Sequence, residues 1–507
     1  RYITHLQAPG WNVIGGGEPI LPGVSIGHNE YGAWGLTIFD TDIEDLYVYK
    51  INPSNKNQYW HHGKWVTMKS IKDTIPVKDR KPQVVLYQYT IHGPVTFIDT
   101  LRHLAYAVRC AWLEPGCAPY LASLRMDQAR NWNEFKQACR YAYIPAENMV
   151  WADKQGNIGW QAVGIAPVRN NHSGIVPVMD EIKNEWAGYL PILNRPSRFN
   201  PKEGFIATAN ENLIPKNYPY MNSTGYSWAD PYRGARIREV LKEKNAFGIL
   251  DFESLQTDYL SLPARKIVPM INELNLKDSS LETYQKALTS WNQFLNAGSG
   301  IAGLYILIER SLTEKLLKIN LPENYDDRKD NDVPITYLSL DWMIRYLDSV
   351  SNKKDILLYA FKLAAKKMQS MYGVQINEWK YGDTSKFKHV YIQHALSTLA
   401  SETSRQKINT QHVIRGGNGN TVGSTGDNVN QASGASFRII VDCADWDKTV
   451  AINTPGQSGD PDSKHYKDLF DIWSKDKYFP LYFSKKNINT ITDKIYMLNP
   501  VKQRHLH

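Results

Sequence analysis

The sequence predicts a mixed α/β layer structure interrupted by a large helical insertion. Three observations carry this. The first part, to about residue 110, is built of short β-branched and aromatic runs. The middle part repeats its apolar residues at helical spacing, and a Gly- and Asn-rich loop then leads back into strand-like runs. The two separated β portions must pair or pack to bury their faces. They therefore form one unit, and the helical part is an insertion into it.

In chain order, residues 24–26, 36–39, 46–49 and 84–89 read as strands between turn signals such as Pro22-Gly23, His28-Asn29 and Asn52-Pro53. A helix follows at 132–141. Residues 153–157 make a turn between strands at 148–152 and 158–163. A strand at 205–208 runs into the polar loop 209–212. Helical periodicity then marks 235–244, 281–295, 301–317, 337–348 and 354–371, with Pro263, Pro269, Pro322 and Pro334 as punctuation. Residues 416–434 read as loop, 436–442 and 449–453 as strands, and 466–475 as a helix. The divisions are 1–232, 233–400 and 401–507.

Composition narrows the function. The net charge of +8 is small for 507 residues, and Lys and Arg are interspersed with Asp and Glu, so the basic stripe of a nucleic-acid binder is missing. No uncharged apolar run approaches the roughly 18 residues of a membrane helix. Cys110, Cys117, Cys139 and Cys443 lack CxxC spacing, which argues against a cysteine zinc site. Cys110 and Cys117 are close enough to pair across a loop, or to remain free thiols. Arg1 to Leu6 reads as a strand entered partway along, without initiator Met or signal segment.

Several blocks then share one likeness. Pro22-Gly23-Val24-Ser25-Ile26-Gly27-His28-Asn29, Ala33-Trp34-Gly35-Leu36-Thr37 and Asp42-Ile43-Glu44-Asp45 resemble the penicillin acylase (penicillin amidase) family. So do Trp151-Ala152-Asp153, Gly156-Asn157-Ile158-Gly159, Ile206-Ala207-Thr208-Ala209-Asn210 and Tyr232-Arg233-Gly234-Ala235-Arg236-Ile237. Leu255-Gln256-Thr257-Asp258, residues 379–394, Ser436-Phe437-Arg438 and Pro455-Gly456-Gln457-Ser458-Gly459 continue it in family order. The resemblance implies an α+β, four-layer αββα sandwich, the N-terminal-nucleophile hydrolase fold, with a large helical insertion. It implies a precursor that cuts itself into a small and a large chain, the large one starting with the catalytic Ser. The Gly27-His28-Asn29 block lies closer to the start than the family pattern has it. The expectation is therefore a large-chain segment without that Ser and without the small chain, and inactive by itself.

Amide hydrolysis by this route needs an activated hydroxyl, a base for its proton, and donors for the oxyanion. By the resemblance, the side-chain amide of Asn210 and the backbone N–H of Ile38 are those donors, and Arg233 is the active-site guanidinium beside them. By position alone, Asn210 reads as an Asx-turn residue and Arg233 as a surface Arg at a helix start. Asp42 and Asp45, through their side chains, and Glu44, through its carbonyl, resemble the family's calcium segment, with Asn222 near a further ligand position. Such oxygen ligands suit a structural calcium ion, and a solvated acidic turn is the plain alternative. Ser25, Ile26, Ser123 and Glu147 fall at or near the acyl pocket. Ser123 and Glu147 stand where some members have an aromatic and an aliphatic residue, which speaks against a phenylacetyl-type pocket.

The histidines form no HExxH pattern, and His61-His62, His389 and His394 receive no metal role. His28 and His465 are expected to be structural. No GxSxG elbow appears. The expected function is an acylase cleaving a linear amide of a small-molecule N-acyl compound, penicillin-like or otherwise. Acyl-homoserine-lactone acylase and non-catalytic homologue are the alternatives. A carbohydrate-active reading, prompted by 15 Trp and 30 Tyr, lacks a facing carboxylate pair. Family likeness also places the protein in the periplasm or outside the cell.

Overall fold

The computed structural model describes residues 2–320, 338–426, 430–431 and 434–499. The predicted helix start at Tyr337, and Pro322 and Pro334, lie outside the described residues.

The chain opens with four antiparallel strands, β1 (Tyr2–Ala8), β2 (Trp11–Gly17), β3 (Ile26–Asn29) and β4 (Gly32–Ile38). It then leaves this sheet to build a second one, from β5 (Glu44–Asn52) and β6 (Asn55–His61) through β7 (Lys64–Thr67), β8 (Lys69–Ile75), β9 (Gln83–Thr90), β10 (Gly93–Asp99) and β11 (Leu104–Cys110). It returns with β12 (Glu147–Asp153), which pairs with β4 from Glu147↔Ile38 to Asp153↔Gly32. The hairpin partner β13 (Ile158–Ala162) and the short strand Ser197–Phe199 complete the first sheet.

Alternation along these strands sorts the core into layers. On one face of the first sheet, Val13, Trp34, Met149 and Trp151 meet Trp132, Phe135 and Ala138 of the helix Trp132–Cys139. Asn131 caps that helix by accepting from the Glu134 N–H. Gly159 admits the helix: a Cβ there would lie 2.3 Å from the Trp132 ring. On the other face, Ile14 and Ile26 meet Phe437, Ala451 and Leu481. These belong to a small sheet of Arg438–Ile440, Val450–Ile452 and Phe479–Pro480, or directly adjoin its strands. Ile452 points out of that sheet's far side onto Phe470 and Trp473 of the helix Phe470–Ser474. The order is helix, sheet, sheet, helix, as the likeness implied.

The inserted part centres on the helix Gly300–Asn320, whose consecutive residues 304–308 are all buried, the mark of a helix surrounded by others. Lys353–Tyr372, Ser279–Ser290 and Leu340–Ser349 pack on it, and Leu262–Asn272 packs against these three in the same core. Asp230 joins this part to the sandwich. Its carboxylate accepts from Ser339 Oγ at 2.6 Å and from the Leu340 and Asp341 N–H groups, so it caps the helix Leu340–Ser349 from outside.

Several expectations change. Residues 205–208 are irregular, not strand, because Thr208 is held through a side-chain bond to Thr37 Oγ1 at 2.9 Å rather than by a ladder. Pro263 stands in the first turn of Leu262–Asn272, where no N–H is needed, and Pro269 lies inside that helix rather than between helices. The helix predicted at 466–475 shrinks to Phe470–Ser474, and a further helix, Lys485–Ile491, follows it. Of the two readings left open for Cys110 and Cys117, the structure has the free thiols. No helix among the described residues is long and apolar enough to cross a membrane.

Candidate active site

Asn210 sits in a loop clamped at both ends. The Thr37–Thr208 bond pins its entry to β4. The Ala209 N–H donates to Glu211 Oε2 at 2.7 Å, Arg238 Nη1 donates to Glu211 Oε1 at 2.6 Å, and the Ala229 N–H donates to the Asn210 carbonyl at 3.2 Å. Glu211 is buried and packs so tightly on Gly234 that a Cβ there would come within 1.9 Å of its Oε1. Between these clamps Asn210 takes φ 68°, a left-handed conformation that Asn tolerates better than most residues.

The side chain is oriented just as firmly. Arg233 Nη2 donates to Asn210 Oδ1 at 2.9 Å, and Asn210 Nδ2 donates to the Ile38 carbonyl at 3.0 Å. A guanidinium only donates, so the amide cannot be turned around. Nδ2 carries two hydrogens, and the bond to Ile38 uses one. The backbone N–H of Ile38 belongs to the same patch. The Phe39 N–H donates to Ala146 of the β12 side, so strand alternation turns the Ile38 N–H away from β12. On that side the pairing of β3 with β4 ends at Gly27↔Trp34. Ile38 is 56% exposed. Two hydrogen-bond donors therefore lie at an open edge of the first sheet, within one residue's span of each other.

Three supports were not read from the sequence. Asn148, fully buried, donates through Nδ2 to Thr37 Oγ1 and to the Ile38 carbonyl, both at 3.2 Å, and accepts from Trp160 Nε1 at 2.9 Å. It holds the end of β4 as Asn210 does, from the neighbouring strand. Glu211 and Arg238 are the others. Their signal was the alternation of charge along 209–238, which sequence reading takes for a solvated surface.

A cavity of about 870 Å³ opens beside Arg233, walled by Trp228, Tyr226, Asp40 and Asp230. Burial raises the Asp40 carboxyl above its ordinary range, and the charge of Arg233 works against that rise.

The expected acyl-pocket residues divide. Tyr120 links two of them: its carbonyl accepts from Ser123 Oγ at 2.6 Å, and its hydroxyl donates to Glu147 Oε1 at 3.3 Å. Glu147 faces Ile38 directly across β4 and β12. Ser25 is buried nearby in sequence, its N–H donating to the Gly16 carbonyl. Ile26 lies on the sheet's other face, against the Phe437 cluster.

The expected calcium ligands surround an arginine. Arg169, fully buried, donates Nε to Asp45 Oδ2 at 2.8 Å, Nη2 to Asp42 Oδ1 and to the Glu44 carbonyl at 3.3 Å, and Nη1 to the carbonyls of Asp42 and Asn222. The Asn222 side chain instead accepts from the Tyr226 hydroxyl. Burial raises the Asp42 carboxyl, with Arg169 opposing. Each carboxylate keeps an oxygen that Arg169 does not take. Asp45 Oδ1 is buried without a hydrogen-bond partner, and a Cβ on Gly174 would fall 2.9 Å from it and 2.6 Å from Asp42 Oδ2. The same point lies 2.9 Å from Arg169 Cζ, so the two carboxylate oxygens face a small space that the guanidinium also borders, and the carbonyl of Glu44 and the amide of Asn222 are engaged elsewhere.

His28 is structural: it stacks on Trp446 at 4.7 Å, and burial lowers its pKa to about 4. His465 pairs with Asp468 at 2.8 Å on the surface.

Layering and site together define a class before any closer kinship. The fold is the αββα sandwich of the N-terminal-nucleophile hydrolases: the chain superposes on a thermostable penicillin G acylase from Alcaligenes faecalis with a TM-score of 0.78, at 21% identity, over 99% of this chain and 94% of that one. Within that class, the penicillin amidase family model matches residues 1–490, and the chain belongs to that family. Among curated proteins it is 25% identical to penicillin G acylase from Escherichia coli, over 96% of this chain and 60% of that protein. It is also 25% identical to the acyl-homoserine lactone acylase QuiP from a Pseudomonas fluorescens strain, over 96% of this chain and 63% of that protein. The chain thus spans about three-fifths of the length of these relatives.

Proposed function

We propose that the protein is an acylase that hydrolyses a linear amide of a small N-acyl compound, with the free-amine serine of its family as nucleophile. The observation that carries this is the Asn210 amide, locked between Arg233 and Ile38 with one N–H still to give. In the reaction the serine hydroxyl adds to the amide carbon while its own α-amine takes the proton. That amine's ordinary pKa of about 7.7–8.0 suits the task near neutral pH. The carbonyl oxygen becomes negative and is held by Asn210 Nδ2 and the Ile38 N–H. The returned proton leaves with the amine, and water then releases the acid from the ester.

The Ser123–Tyr120–Glu147 group favours an acyl chain carrying a hydrogen-bond donor over a bare phenyl or long alkyl chain. The cavity beside Arg233 is read as the leaving-amine side. Penicillin G acylase and QuiP act on the compounds their names give, and both chemistries are amide cleavages. The remaining parts of the reading are a small chain from the same precursor as partner, a periplasmic or secreted location, and a structural calcium at Asp42 and Asp45 that plays no part in the chemistry.

The test is a panel assay with the mature enzyme. Penicillin G, an N-acyl homoserine lactone and amides with amino- or hydroxyl-substituted acyl groups are incubated, and free amine is measured. Release of amine, fastest from the polar acyl groups, is expected. Absence of amine release from every amide would overturn the acylase reading and leave a binding homologue.

A further inference from the structure

The second sheet carries a cluster that the acylase reading does not use. His61 ends β6, and His62 follows it at φ 42°. His92 lies in the turn between β9 and β10. Asp180 and Glu185 flank the short turn Ile182–Asn184. These five residues come from three separate parts of the chain, and their donor atoms meet. Donor atoms of His61, His62 and Asp180 all lie within 4.8 Å of one another, as do those of His92, Asp180 and Glu185, so Asp180 is common to both sets. Individual distances are short: His61 Nδ1 to Asp180 Oδ2 is 2.9 Å, His92 Nε2 to Glu185 Oε1 is 2.9 Å, and His62 Nε2 to Glu185 Oε1 is 3.7 Å.

We propose that His61, His62, His92, Asp180 and Glu185 form a binding site for a divalent transition metal of the zinc type. Three imidazoles and two carboxylates suit zinc, cobalt or nickel, and are too nitrogen-rich for calcium or magnesium. The outer contacts are those a metal-bound histidine needs. His92 Nδ1 is held by the Tyr49 hydroxyl, and its ring stacks on Tyr47 at 3.7 Å, so Nε2 is aimed at Glu185. Arg109 Nη1 lies 3.2 Å from Glu185 Oε2, while Asp180 is met by His61 and His92 alone among the described residues. Asp180 and His92 are almost fully buried, whereas His62 and Glu185 are about one-third exposed and form the entrance.

Bound metal would tie β6, the β9–β10 turn and the 180–185 segment into one body. That segment runs on to Trp186, whose Nε1 donates to Asp45. The role assigned is therefore a structural staple, placed away from the Asn210 loop.

The mature protein, stripped with chelator and dialysed, is titrated with zinc chloride by calorimetry and with cobalt chloride by visible absorption. One ion per chain is expected, with cobalt bands of a nitrogen- and oxygen-ligated centre and a rise in Tm on zinc addition. His62→Ala, at the exposed entrance, should keep the fold and weaken zinc about 10-fold or more. Asp180→Asn should weaken it further. Circular dichroism checks both variants. Stoichiometry near zero, or zinc affinity unchanged in folded His62→Ala, would overturn the site.

Discussion

Two arginines in this molecule do opposite work, and their difference separates the candidate site from its support. Arg169 is fully buried and spends its guanidinium on Asp42, Asp45 and three backbone carbonyls. Arg233 reaches the wall of an open cavity and places one bond on a neutral amide, Asn210. The first arrangement neutralises charge that would otherwise be buried alone. The second fixes which way an amide points and leaves one of its hydrogens to spend. Breaking the first should cost stability, and breaking the second should cost rate.

The largest effect is expected from Arg169→Met, which keeps the length and removes the charge. It takes the guanidinium away from buried Asp45, and a broken buried pair typically costs about 3–5 kcal/mol. Urea unfolding measures it, and a change below about 1 kcal/mol would show that the guanidinium is not what holds this cluster. Next comes Asn210→Gly. Glycine accepts the left-handed backbone, so the fold should stay while the amide is lost. Removing one oxyanion donor typically lowers kcat by about 10²–10³, or 2.7–4 kcal/mol. Unfolding midpoint and kcat, measured together, should move only in kcat. Arg233→Lys offers a point charge instead of a planar fork and should lower kcat by roughly 10-fold, with little change in stability.

A smaller effect contrasts Asp45 with Asp127. Asp127 is almost fully buried and has the Val24 N–H at 3.1 Å, and burial raises its pKa from 3.8 to about 8. It is protonated in the fold and ionised in the unfolded chain between those values. Stability is therefore complete below about pH 4, falls as pH rises to 8, and levels off above it. Asp127→Asn should flatten that decline, and an unchanged pH profile of urea unfolding would refute the burial argument. The smallest effect concerns the calcium proposed at Asp42 and Asp45. Because Arg169 already neutralises part of their charge, chelation with EGTA should lower Tm by a few degrees, with no loss of kcat at temperatures where the fold persists.

Much of this was legible in the sequence, for physical reasons that vary by element. Strands such as β5 and β9 announce themselves through β-branched and aromatic runs, and Gly300–Asn320 and Lys353–Tyr372 through their apolar period. The outer hairpins β6 to β8 carry polar, exposed residues and gave no alternation to read. Asn210, Ile38 and Arg233 came from the likeness of whole blocks, because nothing in a lone Asn or Ile states a role. Asn148, Glu211 and Arg169 escaped because their work is done through partners far off in the chain, at sequence separations only the fold closes. The same holds for His61 and His92: 31 residues apart, they share no motif until Asp180 and Glu185 are brought between them.

The central claim is that Asn210 Nδ2 and the Ile38 N–H serve one oxygen. A crystal structure of the mature enzyme carrying a covalent tetrahedral adduct, such as a boronic acid on the nucleophile, tests it most directly. The account predicts an adduct oxygen about 2.7–3.1 Å from both nitrogens, with Arg233 still on Asn210 Oδ1. An oxygen that meets neither donor, or an Asn210 amide turned away from Ile38, would contradict it.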